Sequence, residues 1–241
     1  MKVVAITGGS RGIGKAMARH FASKKWNVAI CSRTKEELDE TQKELNCFAE
    51  FCDVRFPEHV KKFFDSVMRK FGRIDVLITC SGVLGPKGPL EENNLDKWKE
   101  TMDANLLGTM YCVHYAIPIM KKQNFGRIIT MCGGGVGSNK LEPGFSAYAV
   151  SKFAVAGFTE VIAKELSFFD LKINAISPGA VDTIMAKERW VKGDSPDKAV
   201  KLAYFLATTD KNINGKVLSA VWDDYEHFEE KESIYTLRRV V

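Results

Sequence analysis

The chain has 241 residues, 45% of them hydrophobic and 27% charged, with a formal net charge of +5. That length suits one α/β domain with a sizeable core, expected to span 1–241 with a C-terminal tail at 222–241, and the composition is that of an ordinary globular protein. The charge excludes a nucleic-acid stripe, since Leu237-Arg238-Arg239 is too short for one, and no apolar run approaches a membrane span.

Strands are predicted at 3–7, 27–32, 47–52, 74–79, 127–132, 172–177 and 216–221. Helices are predicted near 12–25, 34–45, 57–71, 95–122, 146–169 and 195–208. The first strand begins almost at Met1, which leaves no room for a leader, so a cytoplasmic location is expected. Strands separated by helix-length segments imply βαβ units with right-handed crossovers. Nearly all the strand candidates are continuous apolar runs, as strands buried on both faces should be. The fold class is therefore α/β, a doubly wound Rossmann fold with a mostly parallel sheet of about seven strands.

Between the first strand and its helix stands Thr7-Gly8-Gly9-Ser10-Arg11-Gly12-Ile13-Gly14. Gly8 lets the chain turn sharply out of the strand. Gly12 lets the backbone approach a pyrophosphate, and Gly14 lets the helix pack close to the sheet. Exposed N–H groups and the dipole at the helix start suit phosphates. The strand–loop–helix context makes this a dinucleotide site rather than a bare glycine turn.

The second strand ends Ala29-Ile30-Cys31-Ser32-Arg33-Thr34. A carboxylate there would bind the ribose 2′-OH of NAD, and none is present. Arg33 stands there instead, flanked by the Ser32 and Thr34 hydroxyls, and Arg11 lies in the glycine loop. Two guanidinium groups pair well with a phosphate. NADP(H) is therefore expected in preference to NAD(H). The competing account makes Arg33 a solvated loop charge.

Six cysteines stand at 31, 47, 52, 80, 112 and 132, with no C-x-x-C pair, and read as buried, reduced thiols. The four histidines, at 20, 59, 114 and 227, have no ligand spacing, and no metal is expected.

Within the helix predicted at 146–169 lies Tyr148-Ala149-Val150-Ser151-Lys152. Residues four apart share a helix face, so Tyr148 and Lys152 point the same way. An ammonium beside a phenol favours the phenolate, which gives a proton donor and acceptor usable near neutral pH. Alone, this spacing is ordinary surface decoration.

The glycine loop, the Tyr-x-x-x-Lys helix and their separation together resemble the short-chain dehydrogenase/reductase family, in its short single-domain form, from Val3 to about Val221. The resemblance implies NAD(P)-dependent interconversion of a carbonyl and a secondary alcohol on a small substrate. Tyr148 is then the general acid/base. Lys152 keeps its proton mobile and binds the nicotinamide ribose. Asn105, in Asp103-Ala104-Asn105-Leu106-Leu107-Gly108, resembles the asparagine that holds a water in the proton relay. Asp53 and Val54 resemble the adenine-contacting pair. Ser81 and Gly82 line the ribose. Pro178, Gly179, Val181 and Thr183 resemble the loop that holds the nicotinamide amide. The family also implies a homodimer or homotetramer through the helices at 95–122 and 146–169; the apolar face of the second, with Phe153, Phe158, Phe168 and Phe169, suits such an interface, and the core of a parallel sheet claims the same face.

Three departures stand out. The family's catalytic serine is missing: counting thirteen residues back from Tyr148 gives Gly135, and aligning on the fifth strand gives Gly133. Backbone N–H groups of these glycines take over its contact, or Ser138 swings in, or carbonyl reduction is weak. Thr79-Cys80-Ser81-Gly82 replaces the usual Asn-Asn-Ala-Gly, with Cys80 expected as a buried thiol. At the end of the last strand, Trp222, Asp223 and Asp224 suit either a hydroxyl-rich sugar or a capped strand end whose tail (Tyr235, Leu237, Val240, Val241) packs on a neighbour. In the loop after Thr183, Met185 and Trp190 supply apolar cover. Lys187, Arg189 and Lys192 meet an anion or form a solvated face.

The leading reading is an NADP(H)-dependent carbonyl/alcohol oxidoreductase. A sugar- or nucleotide-sugar-modifying enzyme and a non-catalytic NADP(H) sensor or assembly subunit are the alternatives.

Overall fold

A computed structural model describes residues 1–133, 135–136, 141–185, 193–221 and 223. Seven strands form one sheet: β1 Val3–Thr7, β2 Asn27–Ser32, β3 Phe48–Phe51, β4 Val76–Thr79, β5 Gly126–Met131, β6 Leu171–Ser177 and β7 Val217–Ser219. Their order is β3-β2-β1-β4-β5-β6-β7, and every pairing is parallel. The helices are α1 Gly12–Ser23, α2 Lys35–Leu45, α3 Pro57–Phe71, α4 Leu95–Met102, α5 Gly108–Gln123, α6 Ser146–Glu165 and α7 Asp197–Thr208.

Side chains alternate across a strand, and here both sets are apolar. Val4, Ile6, Ile30, Ile78, Ile129 and Leu218 pack with Met17, Phe21, Leu202 and Leu206 of α1 and α7. Val3, Ala5, Leu77, Ile128 and Ile173 pack with Phe63, Phe64, Met120 and Ala163 of α3, α5 and α6. This two-sided burial is why the strands lack the polar alternation of a half-exposed sheet.

Strand order reverses between β1 and β4. Crossovers leave the sheet in opposite directions there, which opens a crevice beyond the strand C-termini. The glycine loop follows β1, and Cys80-Ser81-Gly82 follows β4, so both land on that crevice.

Several element ends shift by one or two residues, and three departures from the sequence expectation have an identifiable structural basis. The helix predicted at 95–122 contains a π-helical turn, Asp103–Leu107, between α4 and α5. Helix α6 ends at Glu165, not 169, so Phe168 and Phe169 lie beyond it, and Phe168 is 94% exposed. Phe153 and Phe158 instead pack inward on the core clusters. The last strand is shorter than predicted, because the Asp223 carboxylate accepts the Ser219 amide at 2.5 Å and the chain turns there.

No helix among the described residues is long and apolar enough to cross a membrane.

Candidate active site

A cleft of about 610 Å³ runs along the C-terminal ends of the strands. One wall is the glycine loop: Gly8, Ser10, Arg11, Gly12, Ile13 and Gly14 all line it. Helix α1 presses directly on this loop. A Cβ on Gly14 would stand 2.3 Å from the Gly8 carbonyl oxygen. The far end of the loop meets the segment after β6, since a Cβ on Gly12 would lie 3.3 Å from Thr183 Cγ2.

Ser32, Arg33, Asp53 and Val54 form one end of the cleft. Burial pushes the Asp53 carboxyl up, but hydrogen bonds from Arg55 outweigh it and hold the group below the usual carboxylate range. Arg55 also pairs with Glu100 of α4. The Arg33 guanidinium stands 3.9 Å from that same Glu100, and Arg11 Nη1 donates to Glu37 Oε1 at 3.1 Å. Both arginines singled out from the sequence face a carboxylate, and both side chains remain about half exposed. Glu37 leaves no mark in the local sequence pattern because it lies in the first turn of α2, beyond the end of β2 where the 2′ position is ordinarily read.

Ser81, Gly82, Tyr148, Lys152, Pro178, Thr183 and Met185 line the other end. Gly179 and Val181 lie behind this wall. A Cβ on Gly179 would strike Val221 Cγ2 at 2.5 Å, and Val181 is buried and bridges to Asp194. The segment after β4 is tied back to the end of β1. The Cys80 amide donates to the Thr7 carbonyl at 3.2 Å, and the Ser81 amide donates to Thr7 Oγ1 at 3.2 Å.

Tyr148 and Lys152 share one face of α6, with Lys152 Nζ 5.8 Å from the centre of the Tyr148 ring. Lys152 is 6% exposed, and its ammonium donates to the Met131 carbonyl at 2.9 Å. Burial lowers its pKa, against a smaller opposing influence of the Cys132 and Cys80 thiols. Burial in turn pushes both thiols up to about 12, so they stay protonated at neutral pH.

Asn105 occupies the π-helical turn and is fully buried. Its Oδ1 accepts the Val83 amide at 2.8 Å, and its Nδ2 donates to the Val83 carbonyl and to Ser151 Oγ, each at 2.9 Å. Both amide hydrogens are thereby committed. Asn105 ties the segment after β4 to α6 between Tyr148 and Lys152. The π turn serves this: one inserted residue re-aims the side chain out of the α4–α5 register, a recurrent device at functional sites. Ser151, missed in the sequence reading, is the other end of that tie.

Of the two glycines at the missing serine, Gly133 faces the tyrosine. A Cβ there would stand 3.8 Å from the Tyr148 hydroxyl and 3.8 Å from Pro178 Cδ, but its φ is +124°. A side chain fits the space and not the backbone. Gly133→Ser is therefore expected to cost about 1–3 kcal/mol in backbone strain, a fall in Tm of several degrees, without a tenfold gain in turnover. A gain in turnover at unchanged Tm would show that the loop does not depend on this glycine. Ser138 and Trp190 lie outside the described residues, as do Trp222, Asp224, Lys187, Arg189 and Lys192. Asp223 closes the end of β7 on itself, as in the strand-end reading.

The family model for short chain dehydrogenases matches residues 2–193. The chain belongs to that family. Among relatives of this short-chain dehydrogenase, the Bos taurus 3-oxoacyl-[acyl-carrier-protein] reductase is 32% identical over 189 residues, covering 78% of each chain. Among solved structures, ElxO with NADP bound superposes with a TM-score of 0.82 at 31% identity, covering 91% of this chain and 96% of that one. NAD+-bound xylitol dehydrogenase gives a TM-score of 0.83 at 26% identity, covering 90% and 96%. The short-chain dehydrogenase described here is thus an NAD(P)-dependent oxidoreductase built on a Rossmann sheet. The cleft fits a dinucleotide: the glycine loop and the start of α1 line one wall, where helix N–H groups suit a pyrophosphate, and arginines stand at one end with a Tyr/Lys pair at the other.

Proposed function

We propose that this enzyme interconverts a carbonyl and a secondary alcohol on a small substrate, uses NADP(H) in preference to NAD(H), and employs Tyr148 as its general acid/base. The observation that carries this is the pairing of Tyr148 with the buried Lys152 at the cleft end opposite Arg11 and Arg33. A nicotinamide dinucleotide, when bound, supplies or accepts the hydride. In reduction the Tyr148 hydroxyl gives its proton to the carbonyl oxygen, and in oxidation it takes that proton back. The Lys152 ammonium favours the phenolate between turnovers. Its lowered pKa eases proton exchange, and its bond to the Met131 carbonyl fixes its height on the cleft wall. Asn105 is a positioning residue here, holding Val83 and Ser151, and a Cβ on Gly82 would stand 3.1 Å from its Oδ1 and 3.6 Å from Lys152 Nζ. That proximity supports a proton path past Lys152 and Asn105. Arg11 and Arg33 would hold a 2′-phosphate, Asp53 and Val54 the adenine, and Pro178 to Thr183 the nicotinamide amide. Met185 and Gly133 border the substrate's place.

The sugar reading rests on the Trp222-Asp223-Asp224 end and the altered serine loop; of these, Asp223 Oδ2 accepts the Ser219 amide, which supports the strand-end account of that residue. The sensor reading has no use for a buried Lys152 beside Tyr148. A second copy packing on α6 fits the outward Val150 and Val161, 48% and 57% exposed, which flank Gly157 and the open space beside it.

Thermal melts with each cofactor test the nucleotide claim. NADPH at 100 times its Kd stabilises by about 2.7 kcal/mol, which is a rise in Tm of several degrees. A melt unmoved by NADPH sinks the NADP(H) claim. A panel in which small ketones are inert and sugars turn over sinks the substrate class.

A further inference from the structure

We infer that Glu37 sets how strongly this enzyme prefers NADP(H) over NAD(H). The inference rests on the dinucleotide reading of the cleft. Glu37 stands in the first turn of α2 and reaches back over the glycine loop. Its Oε1 accepts from Arg11 Nη1 at 3.1 Å, and its Oε2 accepts from Ser10 Oγ at 3.2 Å. Ser10 Oγ also bonds Ser32 Oγ at 2.9 Å, so one carboxylate gathers the loop and the end of β2. Ser10, Arg11, Ser32 and Arg33 line the cleft wall that would meet the substituent on the adenosine 2′ carbon.

An ionised carboxylate only accepts hydrogen bonds. Toward a 2′-hydroxyl it can act as a hydrogen-bond acceptor. Toward a 2′-phosphate it is a like charge, and it competes for Arg11. Arg33 lacks so close a competitor, because Glu100 stands 3.9 Å from it and is bonded more closely to Arg55. The phosphate would therefore rely on Arg33, with Arg11 recruited only by displacing Glu37. The position thus works against the two arginines: the enzyme accepts both cofactors, and Glu37 caps the preference for the phosphorylated one.

A plainer role is available to Glu37, since an acid in the first turn of a helix favours the helix dipole. That role leaves the ratio of cofactor affinities unchanged, so the ratio is the readout. Titration calorimetry of the full chain with NADPH and with NADH would be compared for wild type, Glu37→Gln, Glu37→Asp and Glu44→Gln. Glu44 lies two turns further along α2 and pairs with Lys15 and Arg19, so its variant makes the same change in net charge at a distance. Solvent screens the Arg11–Glu37 pair, whose side chains are 54% and 31% exposed, so the expected effect is modest. Glu37→Gln should raise the ratio of NADPH to NADH affinity about five- to tenfold. Glu37→Asp, which withdraws the carboxylate by one methylene, should raise it by less. Glu44→Gln should leave it within about twofold. An unchanged ratio in Glu37→Gln overturns the inference while the dinucleotide reading stands. An equal shift in Glu44→Gln overturns it too, as a general charge effect. Wild type that binds neither nucleotide overturns both.

Discussion

Tyr148→Phe is expected to lower kcat by about 10²–10⁴-fold, the usual worth of a positioned acid/base group. The substitution removes only the hydroxyl. The ring, 9% exposed, keeps its packing against α6's surroundings, and Lys152 keeps its bond to the Met131 carbonyl. Nucleotide affinity and Tm should therefore stay close to wild type. Steady-state kinetics in both directions, with calorimetry for the nucleotide, separates the two effects. Turnover within tenfold of wild type would remove Tyr148 from the chemistry. A collapse in nucleotide affinity would instead make it a binding residue.

Gly14→Ala should cost nucleotide affinity about five- to hundredfold and lower the Tm. The new methyl would stand 2.3 Å from the Gly8 carbonyl oxygen and 3.3 Å from Cys80 Cβ. The near contact is backbone, which cannot swing aside as a long side chain would. Helix α1 must back away from the loop, and with it go the N–H groups that would face the phosphates in the proposed dinucleotide site. Forcing an overpacked contact costs about 1–3 kcal/mol, and 2.7 kcal/mol is about a hundredfold in affinity. Calorimetry with NADPH and a thermal melt without it would read the two losses. Wild-type affinity in this variant would mean that the loop, rather than the helix start, meets the nucleotide.

Several features were legible before any coordinates. All seven strands and the main helices appear where apolar runs alternate with helical patterns, because strands buried on both faces leave a strong local signal. The glycine loop and the Tyr-x-x-x-Lys spacing were legible for the same local reason: each works within one element and its neighbour. Element ends were less legible. The apolar Phe168 and Phe169 continue a helical pattern that the backbone abandons at Glu165. The π turn at Asp103–Leu107 leaves no mark in composition, since one extra residue per turn shifts a side chain without changing residue type.

By itself, then, the sequence determined the parallel αβ sandwich, the nucleotide loop and the position of Tyr148 and Lys152 on one helix face. Only the tertiary structure decided what surrounds them. It brought Glu37 from α2 onto Arg11 and Ser10, joined Asn105 to Ser151 across a π turn, and put Gly133, at a φ of +124°, opposite the Tyr148 hydroxyl. These contacts join segments tens of residues apart, and their geometry depends on how helices pack on the sheet. Local spacing carries no information about that packing.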